Sequence, residues 1–319
     1  MPPRRRIGKR LIKSFLPIVL VIVLAVVASL TYIIYCVSRP AKRPYVVTPE
    51  SFSRISGRAL KVTDESWTTL DGRQARGWLL KGVEGAPAVV LLHRYGGDRS
   101  WLFNLGVKIN ETTHFTILWP DLRGHGENPL VKWTSLGTRD GDDLIAALNY
   151  LRSLKSENQK KLVGESFGVY GVELGAYSAL KATLRESQIK VLVLDSVSRT
   201  PNELLSSAVS SCVGLDNSIV QSFSRLGMRM YMLGTFDNND ACDYARMTDY
   251  QRVLLLSGAD AGRLRDSTAS LQSCFPVREN VEIRTDLPLS GFSLPSATGE
   301  QGEAYDRVVI EFFARNLRP

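Results

Sequence analysis

The chain has 319 residues, of which 44% are hydrophobic and 23% are charged, a composition that excludes an intrinsically disordered protein. Its formal net charge is +8, but nine of the 40 Lys and Arg residues, and no acidic residue, lie in the first 43 positions. The rest of the chain therefore carries 31 basic and 32 acidic residues. Because a nucleic-acid-binding domain needs a basic surface on its folded part, we expect no nucleic-acid partner.

An apolar segment near the N-terminus predicts a single-pass transmembrane helix. Residues 15–37 are 23 uncharged positions, and a helix of this length crosses a hydrocarbon core of about 30 Å. A cleaved signal peptide has a shorter apolar region followed by a small-residue cleavage site, which this sequence lacks. Six basic residues precede the span and three follow it, which favours a cytoplasmic tail at residues 1–14 and a body outside the membrane.

The four cysteines divide between the span and the body. Cys36 lies in the span and is predicted to be a buried apolar residue of that helix. Cys212, Cys242 and Cys274 lie in the body, where an oxidising compartment would allow one disulfide between two of them. All three pairings stay open. Their spacing contains no C-x-x-C pair and no neighbouring His cluster, so we expect no metal site.

Strand-like and helix-like segments alternate along the body. Residues 38–58, interrupted by prolines, predict an extended linker, and residues 59–319 predict a folded domain. Its predicted strands lie at residues 59–63, 74–80, 87–92, 115–119, from 167 to the turn at 173, 191–194, 253–256 and 281–284. Helices are predicted at residues 98–110, 140–154, from 174, within 201–247, at 263–271 and at 302–317.

This alternation predicts the fold class. The first two strands form an antiparallel hairpin around Asp71 and Gly72. Continuous apolar runs such as residues 87–92 (PAVVLL) are typical of strands that helices cover on both faces. We therefore predict an α/β fold with a mainly parallel, doubly wound sheet flanked by helices, whose ligands would bind at the carboxyl ends of the strands.

Residues 167–180 (FGVYGVELGAYSAL) have the pattern of a nucleophile elbow. In that motif a strained residue joins a strand to a helix, and glycines two positions on either side allow the backbone to pack closely. Gly171 and Gly175 are those glycines here, and the residue between them is Glu173. A serine is the usual residue at this position in acyl-transfer enzymes.

Residues 164–168 (GESFG) also match G-x-S-x-G, with Ser166 at the centre. Glu173 stands 18 residues before the next strand at Val191, which suits a turn and one helix, whereas Ser166 stands 25 residues before it. A strand leading to Ser166 would also contain Lys160 and Lys161 at positions that should be apolar. We therefore predict Glu173 at the elbow and keep Ser166 as the alternative nucleophile.

Four segments together resemble the α/β-hydrolase superfamily: residues 93–97 (HRYGG), 121–126 (DLRGHG), 171–175 (GVELG) and 191–196 (VLVLDS). In particular they resemble its membrane-anchored bacterial members of the dipeptidyl-peptidase or serine-aminopeptidase type. The likeness covers about residues 59–317, and the order and spacing of the motifs carry it. It implies the α/β-hydrolase fold, a possible cap insertion at residues 201–247, and a place in the bacterial inner membrane.

The resemblance assigns the loop after the third strand to the oxyanion hole. His93, Arg94 and Tyr95 occupy that loop, and together with Glu173 and Leu174 they are the binding residues that we predict. His93 comes too early in the chain to be the general base of this family. We expect it, and His125, to brace loops.

The same resemblance places the catalytic acid after the seventh strand and the base after the eighth. Asp260 is well placed as the acid, with Asp266 as a poorer substitute. The base should lie within residues 286–299, but no histidine occurs after His125, and Ser290 stands in the likely region. A serine nucleophile without its imidazole base loses several orders of magnitude in rate.

Three hypotheses follow. The leading one is a catalytically inactive hydrolase-fold protein, held on the membrane, that acts as a binding or scaffold domain for a small ligand or a protein. The second is a hydrolase of ester or peptide bonds, in which Ser166 uses His93 or His125 as base, or Glu173 attacks as a carboxylate. The third is a structural membrane protein whose Glu173 is a solvated or salt-bridged turn residue. We expect no cofactor, because no nucleotide or metal motif is present.

Overall fold

An eight-stranded sheet lies at the centre of the fold in the computed structural model, which describes residues 4–57, 59–214, 217–233, 235–236 and 238–318, with side chains from residue 14 onward. The strands are β1 (Val62–Thr68), β2 (Gln74–Leu80), β3 (Ala86–Leu92), β4 (Thr116–Pro120), β5 (Val163–Val172), β6 (Ile189–Asp195), β7 (Arg252–Leu256) and β8 (Val281–Arg284).

The helices α1 and α2 precede the sheet in sequence, and the remaining α-helices follow β3. They are α1 (Arg4–Ser38), α2 (Pro49–Ser56), α3 (Phe103–Thr113), α4 (Asp140–Ser153), α5 (Leu174–Ala182), α6 (Pro201–Val213), α7 (Ser218–Tyr231), α8 (Ala241–Ala245), α9 (Leu264–Leu271) and α10 (Gly299–Asn316). Residues 201–247, the predicted helical section, thus contain α6, α7 and α8.

The sheet has the order β1-β2-β4-β3-β5-β6-β7-β8. Strands β1, β2 and β4 pair antiparallel, and all pairs from β4 to β8 are parallel. The central parallel strands are mostly apolar because helices cover both faces of the sheet, and β3 is buried from Pro87 to Leu92. The predicted α/β class, with a mainly parallel sheet flanked by helices, is confirmed.

Two strands differ from their predicted positions. β1 covers Val62–Thr68 instead of residues 59–63, because its register against β2 pairs Val62 with Leu80 and leaves a tight turn at Gly72. β5 begins at Val163 instead of residue 167 and contains an irregularity where it pairs with the start of β3. The exposed lysines precede this longer strand and do not enter it.

Two compact units make up the chain. The larger unit comprises residues 38–204 and 237–319 and contains the sheet. Its core includes side chains from the sheet and from α3 and α10 on one face, and Trp119 at its centre donates from its indole N–H to the carbonyl of Leu102 at 3.0 Å. On the other face α4 packs against α5. A disulfide joins Cys242 to Cys274 within this unit.

The predicted linker contains a helix. Thr48 and Ser51 form reciprocal hydrogen bonds that cap α2, and Pro49 occupies its first turn, where a missing N–H has no cost. Phe52 of this helix packs against the core, and the Tyr45 hydroxyl donates to Asp121 at 2.8 Å. Residues 45–52 therefore belong to the folded unit, although prolines suggested an extended segment.

The smaller unit comprises residues 1–37 and 205–236. Its long helix α1 contains an apolar stretch, Ser14–Ser38, that is long enough to cross a membrane. A disulfide joins Cys36 in α1 to Cys212 in α6. The prediction that Cys36 is only an apolar residue of the helix is therefore wrong, since a residue 176 positions away supplies its partner.

Candidate functional site

Glu173 forms the turn between β5 and α5. Its backbone angles are φ 48° and ψ −103°, a conformation that residues other than glycine rarely adopt. The turn is held at both ends, because the Glu173 N–H donates to the carbonyl of Asp195 at 3.0 Å and its own carbonyl accepts from Tyr177 N–H at 2.9 Å. This is the strand-turn-helix geometry of a nucleophile elbow.

Close backbone approach explains the two glycines that flank the turn. A Cβ atom at Gly175 would lie 2.3 Å from the carbonyl oxygen of Leu92, at the end of β3. A Cβ atom at Gly171 would lie 2.5 Å from the backbone of Ala176. Both contacts are too short for any side chain, so the turn requires glycine at these positions whatever residue stands between them.

The Glu173 carboxylate is turned into the protein. Glu173 is 2% exposed, and its Oε2 accepts a hydrogen bond from the Tyr95 N–H at 3.1 Å. Burial raises the pKa of Glu173 to about 7, while the positive charge of Arg94 and the Tyr95 N–H act in the opposite direction. Near neutral pH both the protonated and the ionised form of this carboxyl group are therefore populated.

Arg94 lies beside this carboxylate between two aromatic rings. Its guanidinium carbon is 4.4 Å from the ring centre of Trp101 and 5.0 Å from that of Phe292. One of its N–H groups donates to the carbonyl of Tyr95 at 3.1 Å. Partial burial lowers the pKa of Arg94, and attraction to Glu173 opposes that effect. The aromatic rings hold the cation near the elbow and limit its contact with water.

His93 connects the loops that follow β3 and β4. Its Nδ1 lies 2.8 Å from the carbonyl of Arg94, and its Nε2 accepts from the Leu122 N–H at 3.0 Å. This arrangement requires a neutral ring with the proton on Nδ1. Burial lowers the pKa of His93 well below its usual range. Both ring nitrogens are thus occupied by backbone groups, which makes the ring a brace between loops.

His125 lies next to His93, with ring centres 5.2 Å apart, and next to Tyr95. Its Nδ1 lies 2.9 Å from the carbonyl of Arg123, and its buried Nε2 has no hydrogen-bond partner among the residues that the structure describes. Burial lowers the pKa of His125 to about 4. The ring is neutral near pH 7, and neither nitrogen is bonded to Glu173.

The positions assigned to acid and base contain Asp260 and Ser290. Asp260 follows β7 and accepts from the backbone N–H of Ser290 at 2.7 Å and from the hydroxyl of Ser293. Ser290 is buried, and its hydroxyl accepts from the Phe292 N–H at 3.3 Å. The acid thus binds the loop backbone where the family places an imidazole. Asp266, the poorer substitute, is an exposed residue in the first turn of α9.

Asp195 is a second buried carboxylate at the same loop, and its role was not predicted from the sequence. Asp195, at the end of β6, accepts from the Gly291 N–H at 2.8 Å and from the hydroxyls of Ser196 and Tyr305. Tyr305 also contacts the hydroxyl of Tyr170 at 2.7 Å. Burial raises the pKa of Asp195 to about 6. An acidic residue at the carboxyl end of a buried strand was the available signal.

Ser166 lies in β5, far from the elbow. It stands seven positions before Glu173 along the strand, which corresponds to roughly 23 Å at about 3.3 Å per residue. It precedes Phe167, which pairs with Ala88 near the start of β3, whereas His93 follows the end of β3. The structure therefore brings Glu173, Tyr95 and Arg94 together at the carboxyl ends of the strands and leaves Ser166 near their amino ends.

Within the described part of the chain, no group of three or more His, Cys, Asp or Glu side chains is arranged to hold a metal ion. The elbow itself presents one buried carboxylate, Glu173, beside the Arg94 cation and the Tyr95 N–H. Leu174, the remaining predicted binding residue, is fully buried at the start of α5.

Comparisons with known proteins agree with this geometry. No protein-family model and no curated protein matches the sequence. Among solved structures, the chain is similar to the Pyrococcus furiosus esterase Pf2001, with a TM-score of 0.63 and 20% identity over 88% of this chain and 98% of the esterase.

Two further structures have the same architecture. DcsB, solved in complex with its substrate analogue, has a TM-score of 0.60 and 14% identity over 81% of this chain and 99% of DcsB. The Pyrobaculum calidifontis esterase has a TM-score of 0.56 and 16% identity over 85% of this chain and 91% of the esterase. At these identities the likeness concerns the fold. The chain has the α/β-hydrolase fold.

Proposed function

We propose that this protein is a membrane-anchored α/β-hydrolase-fold protein that does not hydrolyse substrates at its elbow and acts as a binding or scaffold domain. The observation that carries the proposal is the hydrogen bond from the Tyr95 N–H to the Glu173 carboxylate at 3.1 Å. Tyr95 lies in the loop that the family uses for its oxyanion hole. A carboxylate of the same chain therefore occupies a donor that a tetrahedral intermediate would need.

The loop after β8 supports the same proposal. In a working triad, the acid orients an imidazole that removes the proton from the nucleophile. Here Asp260 and Asp195 accept backbone N–H groups of Ser290 and Gly291, at 2.7 Å and 2.8 Å. Both carboxylates are engaged in holding the loop. An imidazole at this position would have to displace these contacts.

The esterase alternative remains a distinct hypothesis, because the similar solved structures include esterases. Its serine form needs a base within about 3 Å of the hydroxyl, and the two candidate bases, His93 and His125, brace loops beyond the carboxyl ends of the strands, away from Ser166. Its carboxylate form needs a base that activates water near Glu173, but both ring nitrogens of His93 are bonded to backbone groups and neither nitrogen of His125 is bonded to Glu173. Geometry favours the non-hydrolytic proposal over both forms.

Hydrolysis assays test the proposal directly. The full chain, purified in detergent, is assayed with short-chain aryl esters and with a fluorophosphonate probe that labels activated serines. We expect neither turnover nor labelling by the wild type. We also expect none in Glu173→Ser, since a hydroxyl at the elbow still lacks an imidazole base. Turnover or labelling that Ser166→Ala or Glu173→Gln abolishes would contradict the proposal.

We further propose that α1 anchors the protein in a bacterial inner membrane with the N-terminus in the cytoplasm. The two disulfides support this orientation, because disulfides persist in oxidising compartments and are rare in the cytosol. Cys36 lies near the C-terminal end of the span, so that end would face the oxidising side. The six basic residues before the span would then remain in the cytoplasm.

Peptide mapping of protein extracted from membranes under non-reducing conditions tests the orientation. We expect peptides joined through Cys36 and Cys212 and through Cys242 and Cys274. Protease added to intact spheroplasts should digest the body. Free thiols at all four positions, together with protection from the protease, would place the body in the cytoplasm instead.

A groove in the larger unit supports the binding role. Its volume of about 360 Å³ lies within the range of small-molecule sites. Aromatic, apolar and charged side chains line it, among them Phe52, Trp101, Asn104, Lys108, Leu294 and Glu303. Trp101 also contacts the Arg94 guanidinium, so a ligand in this groove would approach the elbow loops. We propose this groove, and not the buried floor of the elbow, as the place where a ligand binds.

A further inference from the structure

Helix α7 exposes an apolar stripe. Ile219, Phe223, Leu226 and Met230 follow the helical spacing of four and three residues and lie on one side of the helix. Their exposed fractions are 65%, 42%, 54% and 68%. We call these four residues the α7 stripe. Four large apolar side chains in one row form a continuous surface that water solvates poorly.

The opposite side of α7 is the buried one, although it is more polar. Gln221, Ser224 and Gly227 are buried there together with Met228. The Gln221 amide donates to the carbonyl of Ser206 in α6 at 3.4 Å. In a helix on the surface of a water-soluble protein the apolar side faces inward. α7 has the reverse arrangement, which indicates that its outer surroundings are apolar.

The helix is attached to the predicted span. A Cβ atom at Gly227 would lie 3.0 Å from Ile34 and 3.6 Å from Leu30, so α7 and α1 touch where glycine allows close approach. Ile34 and Leu30 lie four and eight residues before the end of α1 at Ser38, or roughly 6 and 12 Å along the helix axis. The disulfide between Cys36 and Cys212 ties α6 to the same end of α1.

The stripe and the span together enclose an apolar groove of about 320 Å³. Its walls come from both helices, among them Ile22, Val26, Leu30, Ile33, Ile219 and Phe223. The α1 wall belongs to the stretch that would lie in hydrocarbon. A lipid acyl chain is the apolar molecule that is present at this depth beside any inserted helix.

We propose that the α7 stripe contacts the acyl chains of the outer leaflet beside α1, and that an acyl chain occupies the groove between α7 and α1. The inference rests on the proposed membrane anchor. Basic side chains on such a helix can reach the lipid headgroups while its apolar side faces hydrocarbon. Arg225 and Arg229 supply such residues on α7, where they would meet lipid headgroups.

Photocross-linking in full-length protein tests the proposal. The photoreactive residue p-benzoylphenylalanine replaces Phe223 in the stripe, Val27 in the span or Leu130 on the larger unit, all of which are exposed. Each protein is reconstituted in vesicles of phosphatidylethanolamine and phosphatidylglycerol and irradiated. Mass spectrometry then identifies the attached molecule. We expect lipid adducts at positions 223 and 27 and none at position 130.

The three positions separate the inference from the anchor on which it rests. Lipid adducts at position 27 without any at position 223 would overturn the inference and leave the anchor in place. Absence of adducts at both positions would overturn the anchor as well. Cross-links from position 223 to a second protein chain would overturn the inference by assigning the stripe to a protein interface.

Discussion

At the elbow a carboxylate is buried and receives its hydrogen bond from the same chain, whereas along α7 four large apolar side chains are exposed. Glu173 is 2% exposed and bonded to Tyr95. Leu226 and Met230 are more than half exposed. At the elbow, a hydrogen bond within the chain occupies a carboxylate that could otherwise bind a ligand. Along α7, the fold leaves exposed an apolar surface that a protein in water would cover.

This difference indicates where the molecule meets its surroundings. An active site usually presents polar groups that wait for a substrate, but the carboxylates of Glu173, Asp260 and Asp195 all accept hydrogen bonds from backbone N–H groups of the same chain. The α7 stripe is exposed, and we propose that acyl chains cover it. The contacts of this protein with other molecules are therefore expected at α7 and in the groove beside Trp101, more than at the elbow.

The largest expected effect concerns the elbow backbone. Gly175→Ala would place a Cβ atom 2.3 Å from the carbonyl oxygen of Leu92, so the backbone must shift. We expect the free energy of unfolding in detergent micelles to fall by about 3 kcal/mol or more. Gly299→Ala, where no heavy atom lies within 4 Å, is the matched control and should change it by less than about 0.5 kcal/mol. Equal losses in both variants would remove the packing explanation for the elbow.

The next effect concerns the buried carboxyl of Glu173, whose pKa rises from 4.5 to about 7 on folding. The folded state binds the proton more tightly, so the contribution to stability is complete below about pH 4.5 and is lost as the pH rises through about 7. Glu173→Gln keeps an acceptor for Tyr95 and has no charge to bury. We expect it to match the wild type near pH 4 and to be more stable by up to about 3 kcal/mol near pH 8.

Chemical unfolding across this pH range measures the effect. Glu165→Gln, at an exposed position of the same strand, is the matched control for the loss of one carboxyl group. If the difference between Glu173→Gln and the wild type did not change with pH, the Glu173 carboxyl would not be buried in solution, and the contrast with α7 would be lost.

A smaller effect is expected at the loop that replaces the catalytic base. Asp260→Asn weakens the acceptor for the Ser290 N–H and the Ser293 hydroxyl. Because Asp260 is partly exposed to water, we expect a loss of about 1 kcal/mol in the free energy of unfolding. Asp286→Asn, whose carboxylate pairs with Arg284 on the surface, should cost less. A larger loss at the control would contradict the role of Asp260 in the loop.

The smallest expected effect tests the surroundings of α7. Arg229→Gln removes a basic residue that flanks the stripe, worth up to about 1 kcal/mol near an anionic membrane. Hydrogen exchange of α7 amides should then accelerate by up to about fivefold in nanodiscs with anionic lipid and stay unchanged in zwitterionic ones. Arg278→Gln, at an exposed position of the larger unit, should change neither. Equal acceleration in both lipids would exclude a headgroup contact.

The sequence predicts the sheet because its strands are encoded locally. Residues 87–92 are apolar throughout and residues 115–119 are apolar except for Thr116, and the two runs correspond to the buried neighbouring strands β3 and β4. The count from Glu173 to the next strand identifies the residue that forms the turn between β5 and α5. Helix α2 is also encoded locally, because Thr48 precedes Pro49 and Ser51 follows Thr48 by three residues, but the prolines of this segment favoured the prediction of an extended chain.

Other features depend on residues that are distant in sequence. In the sequence, Cys36 has the surroundings of an apolar helix residue, and only the fold places Cys212 beside it. The role of Asp195 depends on Gly291 and Tyr305, which belong to a loop and a helix about a hundred residues later. Such contacts leave no local pattern, because only the packed backbone determines which groups meet.

The disulfide between Cys36 and Cys212 also bears on how the body could leave the membrane. Residues 41–44 are exposed, and the Lys42–Arg43 bond among them is a cleavage site for trypsin-like proteases, whereas Pro44 protects the bond after Arg43. A cut there separates the span from the body along the backbone, but the disulfide still joins them. Shedding of the body therefore requires two chemical events, proteolysis and reduction. If α1 is the membrane anchor that we propose, an oxidising environment would retain the nicked protein on the membrane, whereas a reducing one would release it.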